Sequence, residues 1–205
     1  MSIKKTRLVV LLASLILCVA SLFPTLTVRA DDTFSVGAKA AFAIDAETGK
    51  ILYNQDGDTP MGIASVTKII GLYIILDQVK QGKLAWDDEV SISDYAEELS
   101  VTPDLSNVPL HKENTYTVKE LFDSAAIQSA NASIVALAEK IAGSEPKFVE
   151  LMQTQLKKWG ITDATLVNAS GLNNSYLGDN RYPGSSETDE NQLSARDVAI
   201  VARHL

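Results

Sequence analysis

The segment SVTKIIGLYIILDQVKQ, residues 65–81, is apolar around nearly its whole circumference when wound as a helix. A surface helix carries an apolar stripe and a polar face, whereas one that is apolar all round has to be buried. The run is longer than the 4–8 residues of a buried strand, and Gly82 follows Gln81 where a helix would close. The spacing therefore predicts a central helix over 65–81, with other elements wrapped around it. Lys68 stands at the mouth of this helix, three residues after Ser65. An ammonium group is rarely buried without a partner or a task.

The remaining sequence supplies candidates for the surrounding elements. KAAFAIDAETGKILYNQD (39–56) reads as two strands joined at Glu47-Thr48-Gly49, since a glycine between two apolar runs signals a hairpin. Residues 87–110 promise short strands and turns at best. TVKELFDSAAIQ (117–128) opens with Thr117 and Glu120 in the spacing of a capping box. ASIVALAEKIA (132–142) reads as an amphipathic helix stopped by Gly143. Residues 145–160 form another, with Pro146 in the first turn and Gly160 at the end. A short extended piece is expected over 163–172, a long polar loop over 173–192, and the start of a helix over 193–205. A loop as long as 173–192 is uncommon unless functional or disordered.

The first thirty residues have a different character. Lys4, Lys5 and Arg7 precede the apolar run LVVLLASLILCVASLF (8–23), Pro24 breaks it, and VRA ends at Ala30. That order reads as a secretory signal peptide, residues 1–30, cleaved after Ala30. An uncleaved anchor and a lipid-bearing Cys18 are the alternatives; the run is short for a span of about 20 residues, and Leu17 stands where lipoprotein signals carry a small residue. Cleavage would remove the only cysteine, so the exported chain would hold no disulfide. Losing four cations and no anion would take the formal charge from −8 to −12. A charge this negative argues against nucleic acid as a partner. The whole sequence is 46% hydrophobic, enough to bury a core, and without a disulfide the exported chain would be stabilised by packing alone.

Serine becomes a useful nucleophile only when a base takes its proton. A lysine three positions along a helix lies on the same face, one turn away. Burial and neighbouring positive charge would lower its pKa and let the neutral amine serve as that base. Three S-x-x-K stretches occur, Ser2–Lys5, Ser65–Lys68 and Ser144–Lys147, and only the second opens an apolar helix. Its bland alternative is a serine that caps the helix beside a lysine that snorkels to water. A second candidate lies in IQSANASI (127–134), where Ser129-Ala-Asn131 falls between two expected helices. Ser129 could relay a proton to a leaving group and Asn131 could bind a substrate amide; alternatively either caps the following helix.

Taken together, Ser65-Val-Thr-Lys68 and, 64 residues on, Ser129-Ala-Asn131 resemble the penicillin-binding and serine β-lactamase superfamily. The flanks AIDAETGKILYNQDGDTPMGIASVTKII, NASGLNN and LSARDVAIVARHL resemble its D-alanyl-D-alanine carboxypeptidases, the low-molecular-mass penicillin-binding proteins, along residues 37–205. The resemblance implies an α+β, β-lactamase/transpeptidase-like fold: an antiparallel sheet flanked by helices, plus a helical subdomain. It implies that Ser65 attacks the carbonyl between the last two D-alanines of a peptidoglycan stem peptide while Lys68 takes the serine proton. Ser129 would relay the proton and Asn131 would bind substrate. β-Lactam antibiotics would acylate the same serine, and no cofactor or metal is called for. The protein would work outside the cytoplasm, in the cell wall or on the outer face of the cytoplasmic membrane. A β-lactamase or transpeptidase of the same fold is the runner-up, and an inactive secreted fragment the non-enzymatic alternative. The E-x-x-L-N stretch of class A β-lactamases is absent, which favours the carboxypeptidase. The family's third motif, Lys-Thr-Gly or Lys-Ser-Gly, is absent too. The chain is therefore expected to be an N-terminal portion lacking the later strands of the sheet, and nearly inactive alone. The membrane anchor common at the C-terminus in this family would lie beyond Leu205.

Overall fold

Alternation of Ala41, Phe42 and Ile44 against Ile51, Leu52 and Tyr53 produces the expected hairpin in the computed structural model, which describes residues 34–205. The signal-peptide reading of residues 1–30, and Cys18 with it, lie outside the described residues. The fold set out below is that of residues 37–205, which form one unit.

Strand β1 (Ala41–Ile44) pairs antiparallel with β2 (Ile51–Gln55). The Asp45 carboxylate ties the turn by accepting from the Thr48 amide at 2.7 Å and the Thr48 hydroxyl at 2.6 Å. Gly49 completes it at φ +74°, a conformation glycine adopts without steric cost. Strand β3 (Met61–Gly62) leads into a 3-10 turn, Ala64–Thr67, and helix α1 (Lys68–Lys80) follows. Gln81 caps α1 and Gly82 takes φ +68°, so the helix ends where expected. Its start is shifted: Ser65 lies in the tighter turn and not in the α-helix.

Strand β4 (Glu89–Val90) precedes α2 (Asp94–Ser100). This helix was not expected in 87–110. It is only seven residues long, and its apolar positions are too few to show a period. Its one sequence signal is the capping serine, Ser93, whose side chain accepts from the Ala96 amide, with Asp94 and Glu97 in the first turn. Strand β5 (Tyr116–Thr117) pairs with β4 and runs into α3 (Val118–Ile127) through the anticipated Thr117–Glu120 capping box.

Helices α4 (Asn131–Ala142) and α5 (Glu145–Lys158) complete the helical layer, each followed by a left-handed glycine, Gly143 and Gly160. The centre of the molecule is α4, not α1. Residues 131–138 of α4 are all buried, and the helix packs against α1, α2, α3 and α5. Its small residues made it look amphipathic, yet they let four helices approach it. Burying Ile134, Val135 and Leu137 contributes about 1.5–3 kcal/mol each. By contrast α1 buries Ile70, Gly71, Ile74 and Ile75 but leaves Leu76 39% exposed. The contact is close at Gly71, where a Cβ would meet Phe148 and Ile134 at 3.2–3.3 Å.

Residues 173–192 are less loop-like than expected. They hold two 3-10 turns, Asn174–Tyr176 and Gly178–Asn180, and bury Asn174 and Asn191 completely or nearly so. Strand β6 (Gln192–Leu193) then pairs with β3, while Gln192 also bridges to Thr165. That short strand draws the 165–172 segment up beside the Ser65 turn. Helix α6 (Ala195–Arg203), capped by the box Ser194–Asp197, lies on β1. Its ends are tied to the hairpin side: Arg196 pairs with Asp58, and Arg203 donates to the Ala46 and Glu47 carbonyls at 2.8 Å. Among the described residues no helix is long and apolar enough to cross a membrane.

Candidate active site

The buried lysine and the exposed serine meet at the start of α1. Ser65 is exposed, Lys68 is 2% exposed, and Lys68 Nζ lies 3.0 Å from Ser65 Oγ. The bland alternative does not hold. Thr67 occupies the N-cap of α1, no side chain caps that helix, and Lys68 does not snorkel.

Two further oxygens complete the lysine's surroundings. Nζ donates to Asn131 Oδ1 at 2.8 Å and to the Ser170 carbonyl at 2.8 Å. An ammonium group has three donors and no acceptor, and here each donor has a partner. The consequence appears when the amine loses its proton. Asn131 Oδ1 and the Ser170 carbonyl can only accept, so they retain the two remaining N–H groups. The lone pair is left pointing at Ser65 Oγ, where it can receive the hydroxyl proton. Burial pushes the Lys68 pKa down from 10.5 to about 8. The expected neighbouring positive charge plays no part in that shift; desolvation alone causes it.

Asn131 is the first residue of α4, and its orientation is determined by its other end. Nδ2 donates to the Ser106 carbonyl at 2.9 Å, and the Asn131 amide donates to the same carbonyl at 3.0 Å. Oδ1 is thereby turned toward Lys68. Nδ2 carries a second hydrogen that these contacts do not use. Ser129 lies two residues earlier, half-buried, at φ +57°. No hydrogen bond joins its side chain to Ser65, Lys68 or Asn131. Neither Ser129 nor Asn131 caps α4 with its side chain.

The segment Asn168-Ala-Ser-Gly171 supplies the Ser170 carbonyl; residue-by-residue reasoning on the sequence did not identify it as part of the site. Its signal was the string of small polar residues before Gly171, which looks like an ordinary loop. Asn168 Oδ1 accepts from the Gly171 amide at 2.7 Å and closes the turn. Gly171 sits at φ +82°, and a Cβ there would lie 1.9 Å from the Ala64 carbonyl oxygen. Ala64 itself holds φ +45° immediately before Ser65. A left-handed non-glycine residue stores strain of about 1–3 kcal/mol and such residues concentrate at functional sites. Asn191 clamps the arrangement. Its Oδ1 accepts from the Val167 amide at 2.6 Å, and its Nδ2 donates to Thr67 Oγ1 at 3.0 Å and the Asn168 carbonyl at 2.8 Å. Every one of these groups is buried, and among the described residues no buried side-chain polar atom is unpaired.

An exposed hydroxyl, a desolvated amine aimed at it and a strained turn beneath both are an arrangement in which the amine can take the hydroxyl proton. A family model described as D-alanyl-D-alanine carboxypeptidase matches residues 26–205. The chain is 34% identical over 169 residues to a D-alanyl-D-alanine carboxypeptidase, DacF, of Bacillus subtilis, covering 82% of this chain and 39% of the relative. It is 30% identical over 173 residues to DacC of Escherichia coli, covering 83% and 40%. Among solved structures it is similar to a peptidoglycan synthesis regulatory factor, PBP3, of Streptococcus pneumoniae, at 50% identity and a TM-score of 0.80, covering 83% of this chain and 47% of that one. A penicillin-binding protein D2 of Listeria monocytogenes in its cefotaxime-bound form matches at 25% identity and a TM-score of 0.65, covering 83% and 62%. The α+β fold is thus that of the penicillin-binding proteins. The chain spans about two fifths of the length of the curated relatives it matches.

Proposed function

The chain belongs to the D-alanyl-D-alanine carboxypeptidase family, and from that we propose that it carries the nucleophile, the base and part of the binding site of a serine D,D-carboxypeptidase acting on peptidoglycan stem peptides. Ser65 Oγ attacks the carbonyl carbon of the penultimate D-alanine, and its proton passes to Lys68 Nζ. The C–N bond then breaks, the terminal D-alanine leaves with a proton on its amine, and an ester on Ser65 remains for water to cleave. Ser129 carries the proton to the leaving amine. Asn131 holds Lys68 through Oδ1 and offers its second Nδ2 hydrogen to the substrate amide. β-Lactams acylate the same oxygen, and the enzyme works as an exported protein of the cell wall, after removal of residues 1–30.

One observation carries this reading: a buried Lys68 amine 3.0 Å from an exposed Ser65 hydroxyl, its other two hydrogens committed to obligate acceptors. General-base help of this kind is worth roughly 10²–10⁴ in rate. Incubation of the full-length protein with a fluorescent penicillin, followed by mass spectrometry of the adduct, tests it. A persistent label on Ser65, lost in Ser65→Ala, together with D-alanine release from a peptide ending in D-Ala-D-Ala, is expected. Fast turnover of the label would make the enzyme a β-lactamase. No adduct on Ser65 would end the proposal.

A further inference from the structure

Among the described residues two carboxyls are buried: Asp197 closes the α6 capping box, whereas the proposed chemistry does not explain the position of Glu145. It is the first residue of α5, where an acidic side chain is favoured by the helix N-terminus whether or not it is buried. Here it is 4% exposed and turned inward. Oε1 accepts from the Ala169 amide at 2.8 Å, and Oε2 accepts from the Tyr95 hydroxyl of α2 at 3.2 Å. Burying a carboxyl is costly even when it is hydrogen-bonded. Its helix could keep the dipole interaction with a side chain in water, so the inward position has to be accounted for by the groups it holds.

Ala169 is the residue before Ser170, whose carbonyl receives a Lys68 hydrogen. The turn between them is short and closed by Asn168 onto Gly171, and Gly171 presses against Ala64. A turn so confined moves as a unit. We infer that Glu145 is a positioning residue for Lys68: by pinning the Ala169 amide it fixes the Ser170 carbonyl, and so keeps the lysine dehydrated and its lone pair on Ser65. This rests on the assignment of Lys68 as the base.

The groups facing Glu145 fit a positional role. Tyr95 comes from α2 and Glu139 from α4, and Glu139 is in turn held by the Ser93 hydroxyl at 3.1 Å. Among the described residues no cation offsets the carboxylate, and desolvation chiefly, with Glu139 adding to it, raises the Glu145 pKa to about 7. Both protonation states can accept the Ala169 hydrogen bond, and a glutamine oxygen can do the same.

Two variants separate geometry from bulk. Glu145→Met fills the volume without an acceptor, and Glu145→Gln retains the acceptor without the charge. In folded Glu145→Met, release of the turn should admit water to Lys68. Its pKa, followed by the NMR shift of the Lys68 Cε carbon, is expected to rise by about one pH unit or more. Acylation by a fluorescent penicillin should slow about 10–100-fold at pH 7, the range that displacement of a reacting group produces. Glu145→Gln should keep the Lys68 titration and acylate within about threefold of the parent. An unmoved Lys68 titration in folded Glu145→Met, or equal damage in folded Glu145→Gln, overturns the inference. If the parent protein forms no adduct at Ser65, the carboxypeptidase reading fails instead, and the Lys68 titration still decides the role of Glu145.

Discussion

Acylation of Ser65 should follow the titration of one buried amine, and pH is the perturbation that reveals it. With the Lys68 pKa at about 8, the neutral fraction is about 1% at pH 6, about 9% at pH 7, about 50% at pH 8 and about 91% at pH 9. The rate constant for acylation should climb roughly tenfold from pH 6 to 7, about fivefold from 7 to 8, and less than twofold from 8 to 9. An amine left at 10.5 would be neutral about 300-fold less often at pH 7. Burial of Lys68 therefore does more for the supply of base than any hydrogen bond around it. The assay is a pre-steady-state measurement with a chromogenic β-lactam across pH 6–10, corrected for uncatalysed hydrolysis, with the adduct on Ser65 verified by mass spectrometry. Lys68→Arg is the control, since a guanidinium does not deprotonate in this range. A flat profile between pH 6 and 8, or a midpoint at or above 10, would refute the role of a desolvated lysine.

Three other outcomes follow from the same geometry. Asn131→Asp places a carboxylate at the 2.8 Å contact with Lys68; an opposite charge so close should raise the lysine pKa by about 1–3 units, moving the acylation midpoint to about 9 or higher, and an unchanged midpoint would show that the two groups do not meet in solution. Gly171→Ala forces a left-handed alanine against the Ala64 carbonyl; at least about 2 kcal/mol of stability should be lost in urea titration, with loss of labelling at Ser65, and a stable, active variant would mean that the two turns are not in contact. Glu145 has its folded pKa raised from 4.5 to about 7, so its contribution is complete below about pH 4.5 and is lost as the pH rises through about 7, on the order of 3 kcal/mol in all. Urea unfolding of Glu145→Gln between pH 4.5 and 8 should lack that decline, and parallel profiles for the two proteins would exclude the buried carboxyl as its source.

Local chemistry made much of this protein legible in advance. The hairpin was readable because Gly49 sits between two alternating apolar runs, and the helices ending before Gly82, Gly143 and Gly160 were readable because each glycine adopts a left-handed conformation that other residues resist. The Thr117–Glu120 box is likewise a contact between residues three apart. Helix α2 escaped notice because seven residues cannot display a period. The exchange of roles between α1 and α4 escaped notice because degree of burial depends on how many neighbours a helix acquires, not on its own apolarity. Ser65 and Lys68 share one turn, so their pairing is written in three residues of sequence.

The partners that orient that pair come from much farther along the chain. Asn131 is 63 residues from Lys68, Ser170 is 102 residues away, and Asn191 reaches Thr67 across 124. Sequence alone determined which side chains could act as nucleophile and base, because i to i+3 spacing is a property of the backbone. Tertiary structure alone decided that the lysine would be dehydrated and which way its lone pair would face, because those depend on carbonyl oxygens delivered by distant segments that nothing but packing brings together.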